Sequence, residues 1–127
     1  MAMPHWVTIG ADAVPRARHE GEIDVFELKK RVDAGEKPLV IDVREPHEHD
    51  IAEMPFTTNL PLSVFEQGWQ TLLAGKENEE VILSCRSGGR SAQVQAFLKH
   101  HGFQKTRNLV GGILAWATAI DRTMQTY

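Results

Sequence analysis

Val81-Ile82-Leu83-Ser84-Cys85-Arg86-Ser87-Gly88-Gly89-Arg90-Ser91 holds a strand, a turn and a helix start in one run. Val81 to Ser84 lacks the polar alternation of a half-exposed strand, so it reads as a strand covered on both faces. The adjacent glycines let the backbone turn its N–H groups toward one point. Ser91 to His101 then reads as a helix stopped by Gly102, with Ala92, Ala96 and Phe97 expected on its buried side. Strand, turn and helix in that order make half of a parallel βαβ unit. Parallel sheets bind ligands beyond the carboxyl ends of their strands, and Cys85 sits at such an end.

The alternation continues on both sides of this run. Leu39-Val40-Ile41-Asp42-Val43 is a second buried strand, and Glu45-Pro46 opens a short acidic helix to about Ala52. Thr57-Thr58-Asn59-Leu60 is a weaker strand. Pro61 breaks the chain, and Ser63 is expected to cap a helix to about Ala74. Further upstream, Asp24 is expected to cap a helix with Glu27 as its capping-box partner, and Gly35 to stop it. Downstream, Lys105 to Leu109 is the last strand, and Gly111-Gly112 starts a helix through about Asp121. His5-Trp6-Val7-Thr8-Ile9 is expected as a short strand, followed by a loop from Pro15 to Gly21. The pattern predicts an α/β fold: a parallel sheet with helices on both faces.

The chain has 127 residues and a formal net charge of -3. That length suffices for one domain, which at this size buries roughly two-thirds of its unfolded surface. The slightly acidic balance and scattered basic residues argue against a nucleic-acid binder. Cys85 is the single cysteine, which excludes an internal disulfide and a dithiol cycle within this sequence. Residues 1–10 lack the basic and apolar regions of a signal peptide. No apolar run approaches the ~20 residues of a membrane span. The expected setting is cytoplasmic, where a lone thiol stays reduced.

A lone cysteine is most often a small buried hydrophobe. Here two glycines and two arginines follow within five residues. Converging N–H groups and a helix N-terminus together suit an anion. Cys85 is therefore the expected nucleophile. Arg86, Ser87, Gly88, Gly89, Arg90 and Ser91 are the expected loop that binds substrate and stabilises charge. Arg86, next to the nucleophile, has the stronger claim on substrate, while Arg90 is divided between substrate and loop. Asp42 and Arg44 end the Leu39–Val43 strand near the active-site edge and are candidate supporting residues that could shape the pocket or pair with the loop arginines. Their structural alternative is an ion pair of Arg44 with Glu48 or another nearby carboxylate. His47 and His49 have metal-like spacing, but the acidic run around them reads as a solvated face. His100-His101 sits where a helix C-terminus favours imidazolium, and Trp116 reads as core.

Three stretches together resemble the rhodanese (thiosulfate sulfurtransferase) family. Cys85 to Ser91 is similar to its active-site loop, and Leu39-Val40-Ile41-Asp42-Val43-Arg44-Glu45 to its first signature strand. Gly111-Gly112-Ile113-Leu114-Ala115-Trp116 resembles its C-terminal signature. They occur in the family's order. The resemblance implies a five-stranded parallel sheet in one domain over about residues 22–121, with an N-terminal extension (1–21) and a C-terminal tail (122–127). It implies sulfur transfer: Cys85 takes sulfur from a small anionic donor such as thiosulfate, carries it as a persulfide, and passes it to an external thiol, thioredoxin, a protein acceptor or cyanide. No cofactor beyond that covalent persulfide, no metal and no membrane partner are expected.

Four residues separate Cys85 from Arg90. Cysteine phosphatase loops carry one more, and the smaller ring suits a single sulfur atom better than a phosphate. One stretch departs from the pattern. Ala52-Glu53-Met54-Pro55-Phe56-Thr57 stands where the family usually reads Gly-His-Ile-Pro-Gly-Ala. Phe56 thus replaces a glycine and is expected to alter the local surface. Three rival readings stand beside sulfur transfer: a non-catalytic interaction module of the same fold, a cysteine phosphatase or arsenate reductase, and a redox sensor using a Cys85 sulfenate.

Overall fold

The two runs without polar alternation lie side by side at the centre of the sheet. In the computed structural model, which describes residues 2–127, β2 (Val40–Asp42) pairs with β4 (Glu80–Ser84) in the register Val40↔Ile82, Ile41↔Leu83, Asp42↔Ser84. With β1 (Glu22–Ile23), β3 (Thr57–Asn59) and β5 (Lys105–Leu109) they form one five-stranded sheet in the order β1-β5-β4-β2-β3. Every neighbouring pair is parallel.

Side chains alternate between two cores, one on each face. Val40, Ile82 and Leu109 face the first, with Val25 and Leu28 of α2 (Val25–Asp33) and Ile113 to Trp116 of α6 (Gly112–Ala119). Ile41, Val81 and Leu83 face the second, with Phe65 of α4 (Phe65–Leu72) and Val94 and Leu98 of α5 (Gly89–His100). These central-strand residues therefore have helices packed on both faces of the sheet, which is why β2 and β4 show no polar alternation. α3 (Pro46–Ile51) follows β2 and is closed by a capping box between Glu45 and Glu48.

Several expectations are corrected. The first strand is β1, not residues 5–9, which instead begin α1 (Trp6–Ile9). Trp6 is buried in the first core, and the free sheet edge beside β5 is taken by Glu22 and Ile23. Ala92 and Ala96 of α5 are exposed, and the inward positions are Ser91, Val94 and Leu98. Larger side chains gain more from that face. Asp24 caps α2 by accepting from Glu27 N at 3.0 Å. The Glu27 side chain does not return the bond, because it pairs with Arg107 across the sheet at 2.6 Å. Ser63 caps nothing: it lies in a 3-10 turn (Leu62–Val64) and donates to Glu45 at 2.5 Å.

The connections fix where a ligand can sit. β2 leads through α3 to its neighbour β3 on one side, and β4 leads through α5 to β5 on the other. The chain thus departs in opposite directions from two adjacent strands, opening a crevice at their carboxyl ends. Cys85 follows β4 directly into that crevice.

Candidate active site

Cys85 is 1% exposed and lies on the side of the sheet that faces α4 and α5. The residues after it turn sharply, and Gly88 does so at φ +117°, a left-handed conformation suited to glycine. That turn brings Gly88 N–H to 3.1 Å from Cys85 Sγ. Ser91 Oγ is 3.3 Å from the same sulfur and donates to Asn108 Oδ1 at 2.6 Å. Asn108 Nδ2 in turn donates to Gly88 O at 3.2 Å. Asn108 therefore ties the turn to β5 at both its ends.

The loop is also held from the other side. Ile113 N and Leu114 N, at the start of α6, donate to the carbonyls of Cys85 and Arg86 at 3.0 and 3.1 Å. These are helix N-terminal donors with no partner inside their own helix. They fix the carbonyls of the loop toward α6. Gly112 is required there, since a Cβ on it would lie 2.5 Å from both carbonyl oxygens.

Arg90 crosses the crevice to α3. Its Nη1 and Nη2 donate to the two carboxylate oxygens of Glu48 at 2.5 and 2.8 Å. Such paired charge-assisted bonds are strong and directional. The Arg90 bond, opposed by burial and helped by Tyr127, holds the Glu48 pKa down to about 2. Glu48 in turn raises that of Arg90, with a smaller contribution from nearby Cys85. Arg90 is therefore a fixed positive charge beside the sulfur, and Glu48 is 8% exposed rather than part of a solvated face.

The structure brings Cys85, Gly88, Arg90 and Ser91 together. Arg86 is directed elsewhere: its Nε donates to the main-chain oxygen of Tyr127 at 2.7 Å. Asp42 and Arg44 are buried and pair with each other, with Arg44 Nη2 at 2.7 Å from Asp42 Oδ2. Arg44 also donates to the carbonyls of Glu48 and Ala52 at 3.0 and 2.7 Å. Its partner carboxylate is thus Asp42 and not Glu48, and it splices α3 to β2. Burial works against the Arg44 charge, but Asp42 and Tyr127 outweigh it and raise the pKa. His49 is bracketed by Asp42 and Glu53. Among the described residues no group of three or more His, Cys, Asp or Glu side chains is arranged to hold a metal ion. Phe56 is half-buried and packs against the first core, meeting Trp116 edge-on at 5.3 Å between ring centroids.

Three contributors escaped the sequence reading. Glu48 looked like its acidic neighbours. Tyr127 had no pattern around it. Asn108 sits in a mostly polar strand, Lys105–Leu109, so its burial and its bonds to Ser91 and Gly88 carried no sequence signal.

A family model described as Rhodanese-like domain matches residues 24–119. The probable adenylyltransferase/sulfurtransferase MoeZ of Mycobacterium tuberculosis is 34% identical over 117 residues, covering 92% of this chain but 30% of that protein. The chain thus spans less than a third of that longer relative's length. A sulfurtransferase of Allochromatium vinosum is 34% identical over 96 residues, covering 76% of this chain and 87% of that one. Among solved structures, a rhodanese-related protein from Thermoplasma volcanium superposes with a TM-score of 0.64 at 28% identity, covering 75% of this chain and 88% of that chain.

Proposed function

From the premise that this chain belongs to the rhodanese-like domain family, we propose that it is a sulfurtransferase working through a persulfide on Cys85. The observation that carries this reading is the Gly88 N–H placed 3.1 Å from Cys85 Sγ in a loop whose carbonyls are bound on the opposite side. Donors aimed at the sulfur before any charge moves are electrostatic preorganisation.

In the first half-reaction, the Cys85 thiolate attacks the outer sulfur of thiosulfate. A Cys85–S bond forms as the bond between that sulfur and the sulfite group breaks, and sulfite leaves with the electron pair. The enzyme is left as the Cys85–S–S⁻ persulfide, its terminal sulfur facing the loop N–H groups. In the second half-reaction an acceptor nucleophile attacks that sulfur and regenerates the thiolate. Neither half needs a proton from the protein, because sulfite is a stable leaving anion. Two separated half-reactions predict ping-pong kinetics. The acceptor, cyanide or a small or protein thiol such as thioredoxin, comes from outside these 127 residues, which hold no second cysteine. A cytoplasmic setting suits one free thiol, and no helix among the described residues is long and apolar enough to cross a membrane.

The test is the intact mass of the reduced protein after exposure to excess thiosulfate, beside Cys85→Ser. A gain of one sulfur atom in the parent alone, removed by cyanide or a thiol, is expected. An unmodified Cys85 that still reacts with a thiol reagent would overturn thiosulfate as donor. Failure with persulfide donors as well would overturn sulfur transfer.

A further inference from the structure

Ser91 Oγ stands between two groups that compete for its single proton. Cys85 Sγ lies 3.3 Å away on one side and Asn108 Oδ1 2.6 Å away on the other. All three side chains are buried, so the choice between them is made by the protein and not by solvent.

The far end of the Asn108 amide decides it. Asn108 Nδ2 faces the Gly88 carbonyl at 3.2 Å, and a carbonyl only accepts. The amide is therefore oriented with its NH2 on Gly88 and its oxygen on Ser91. That oxygen also only accepts. The Ser91 proton consequently lies on the Asn108 side, and the hydroxyl turns a lone pair toward the sulfur. In this orientation Ser91 accepts from a Cys85 S–H and gives nothing to a thiolate. The donor that serves the thiolate is Gly88 N–H, at 3.1 Å.

The charged groups around the sulfur are committed elsewhere. Arg90 of α5, whose charge Cys85 feels, is held by Glu48 of α3. Arg86, next in the loop, donates to the Tyr127 main-chain oxygen. The side chains that share the second core with Cys85, among them Val43, Phe65 and Val94, are apolar. The Ser91 proton is thus a donor within reach of the sulfur that is directed away from it.

We propose that Asn108 is a positioning residue for sulfur transfer: it withholds the Ser91 proton from Cys85 Sγ and so keeps the thiolate a strong nucleophile. This rests on the sulfurtransferase reading above, in which that thiolate attacks the donor's outer sulfur. A hydrogen bond from Ser91 would make the thiol ionise at lower pH, but it would also draw charge from the sulfur that has to attack. The nucleophilicity of a thiolate falls about threefold for each unit of acidity its thiol gains.

The experiment follows two rates against pH: alkylation of Cys85 by iodoacetamide, and sulfur loading from thiosulfate or a low-molecular-weight persulfide. It compares the parent, Asn108→Ala, Ser91→Ala and the pair, each checked for folding by circular dichroism. Asn108→Ala leaves the Ser91 hydroxyl free to turn to the sulfur. The midpoint of its alkylation profile is expected about one pH unit lower, the effect of one hydrogen bond to a charged group. Its high-pH plateau is expected about threefold lower, so the two profiles cross, and sulfur loading at high pH falls by the same factor. Ser91→Ala does not raise the midpoint, and Asn108→Ala adds no shift once Ser91 is gone. A merely structural Asn108 gives the opposite sign: a loosened turn weakens the Gly88 contact and moves the midpoint up. An unchanged or higher midpoint in folded Asn108→Ala would overturn the proposal, as would a shift that survives the loss of Ser91. A raised midpoint in Ser91→Ala would overturn it too, because the hydroxyl would then already serve the sulfur. If Cys85 alkylates in the parent but takes sulfur from no donor, the sulfur-transfer reading falls, whatever the alkylation profiles show.

Discussion

Glu48 shows how much of the site is made by a residue that never touches the reacting atoms. It fixes Arg90 with two bonds, accepts from Arg44 at its main-chain carbonyl, and accepts from Tyr127 at its carboxylate. Its pKa falls from an ordinary 4.5 to about 2 because Arg90 binds the ionised form. A depressed carboxylate stabilises the fold fully above its unfolded pKa and loses that contribution as pH falls through the folded value. Stability is therefore expected to decline between about pH 4.5 and about pH 2 in an acid titration followed by circular dichroism. Glu48→Gln should lack that component, and should cost about 2 kcal/mol at neutral pH in denaturant unfolding. An acid profile identical to the parent's would show that the pair contributes nothing. At this scale Cys85 and its glycines were legible, because one thiol among glycines and arginines is a local pattern. Glu48 was not, because its partner lies 42 residues away, and nothing local separates it from Glu45, Asp50 or Glu53.

The elements around the loop work as a clamp. β4 delivers Cys85, α5 delivers Ser91, β5 delivers Asn108, and the start of α6 holds the carbonyls from behind. Gly112 is where that clamp is tightest. An added Cβ would stand 2.5 Å from the Cys85 and Arg86 oxygens, on backbone that cannot rotate away, and the residue has φ +57°. Gly112→Ala is expected to destabilise by about 3 kcal/mol from steric overlap and left-handed strain together, and to slow persulfide formation. Gly35→Ala is the control: it also has positive φ, +87°, but nothing lies within 4 Å of its Cβ. It should carry the strain alone and leave the transfer rate unchanged. Equal rates for the two variants would show that the α6 contacts do not shape the loop. The long apolar runs of β2 and β4 were legible because burial on both faces removes polar positions. β1 was not: two residues carry no periodicity, and only their pairing with Asn108 and Leu109 of β5 defines it.

The whole molecule joins segments that sequence pattern kept apart. The family match ends at residue 119 and begins at 24, yet the flanks on both sides complete the structure. Trp6 and Val14 enter the first core beside Ile113 and Trp116, and Met124 and Tyr127 pack against the same cluster. The flanks also converge on Arg86, through Ala2 and Met3 from one side and Tyr127 from the other. Composition could not reveal this, because the early residues alternate too irregularly to announce a helix and their burial depends on α6, over a hundred residues further along the chain. If the extension serves only to cover the core, its removal should weaken folding and spare chemistry. Trp6→Ala is accordingly expected to lower unfolding free energy by about 3 kcal/mol, since a large buried aromatic leaves a cavity. Under conditions where the variant is fully folded, Cys85 should load sulfur at the parent's rate from a persulfide donor. A slower rate in the folded variant would mean that the extension orders the loop through Arg86 as well as covering α6. That would make the residues before the matched domain part of the machinery rather than its support.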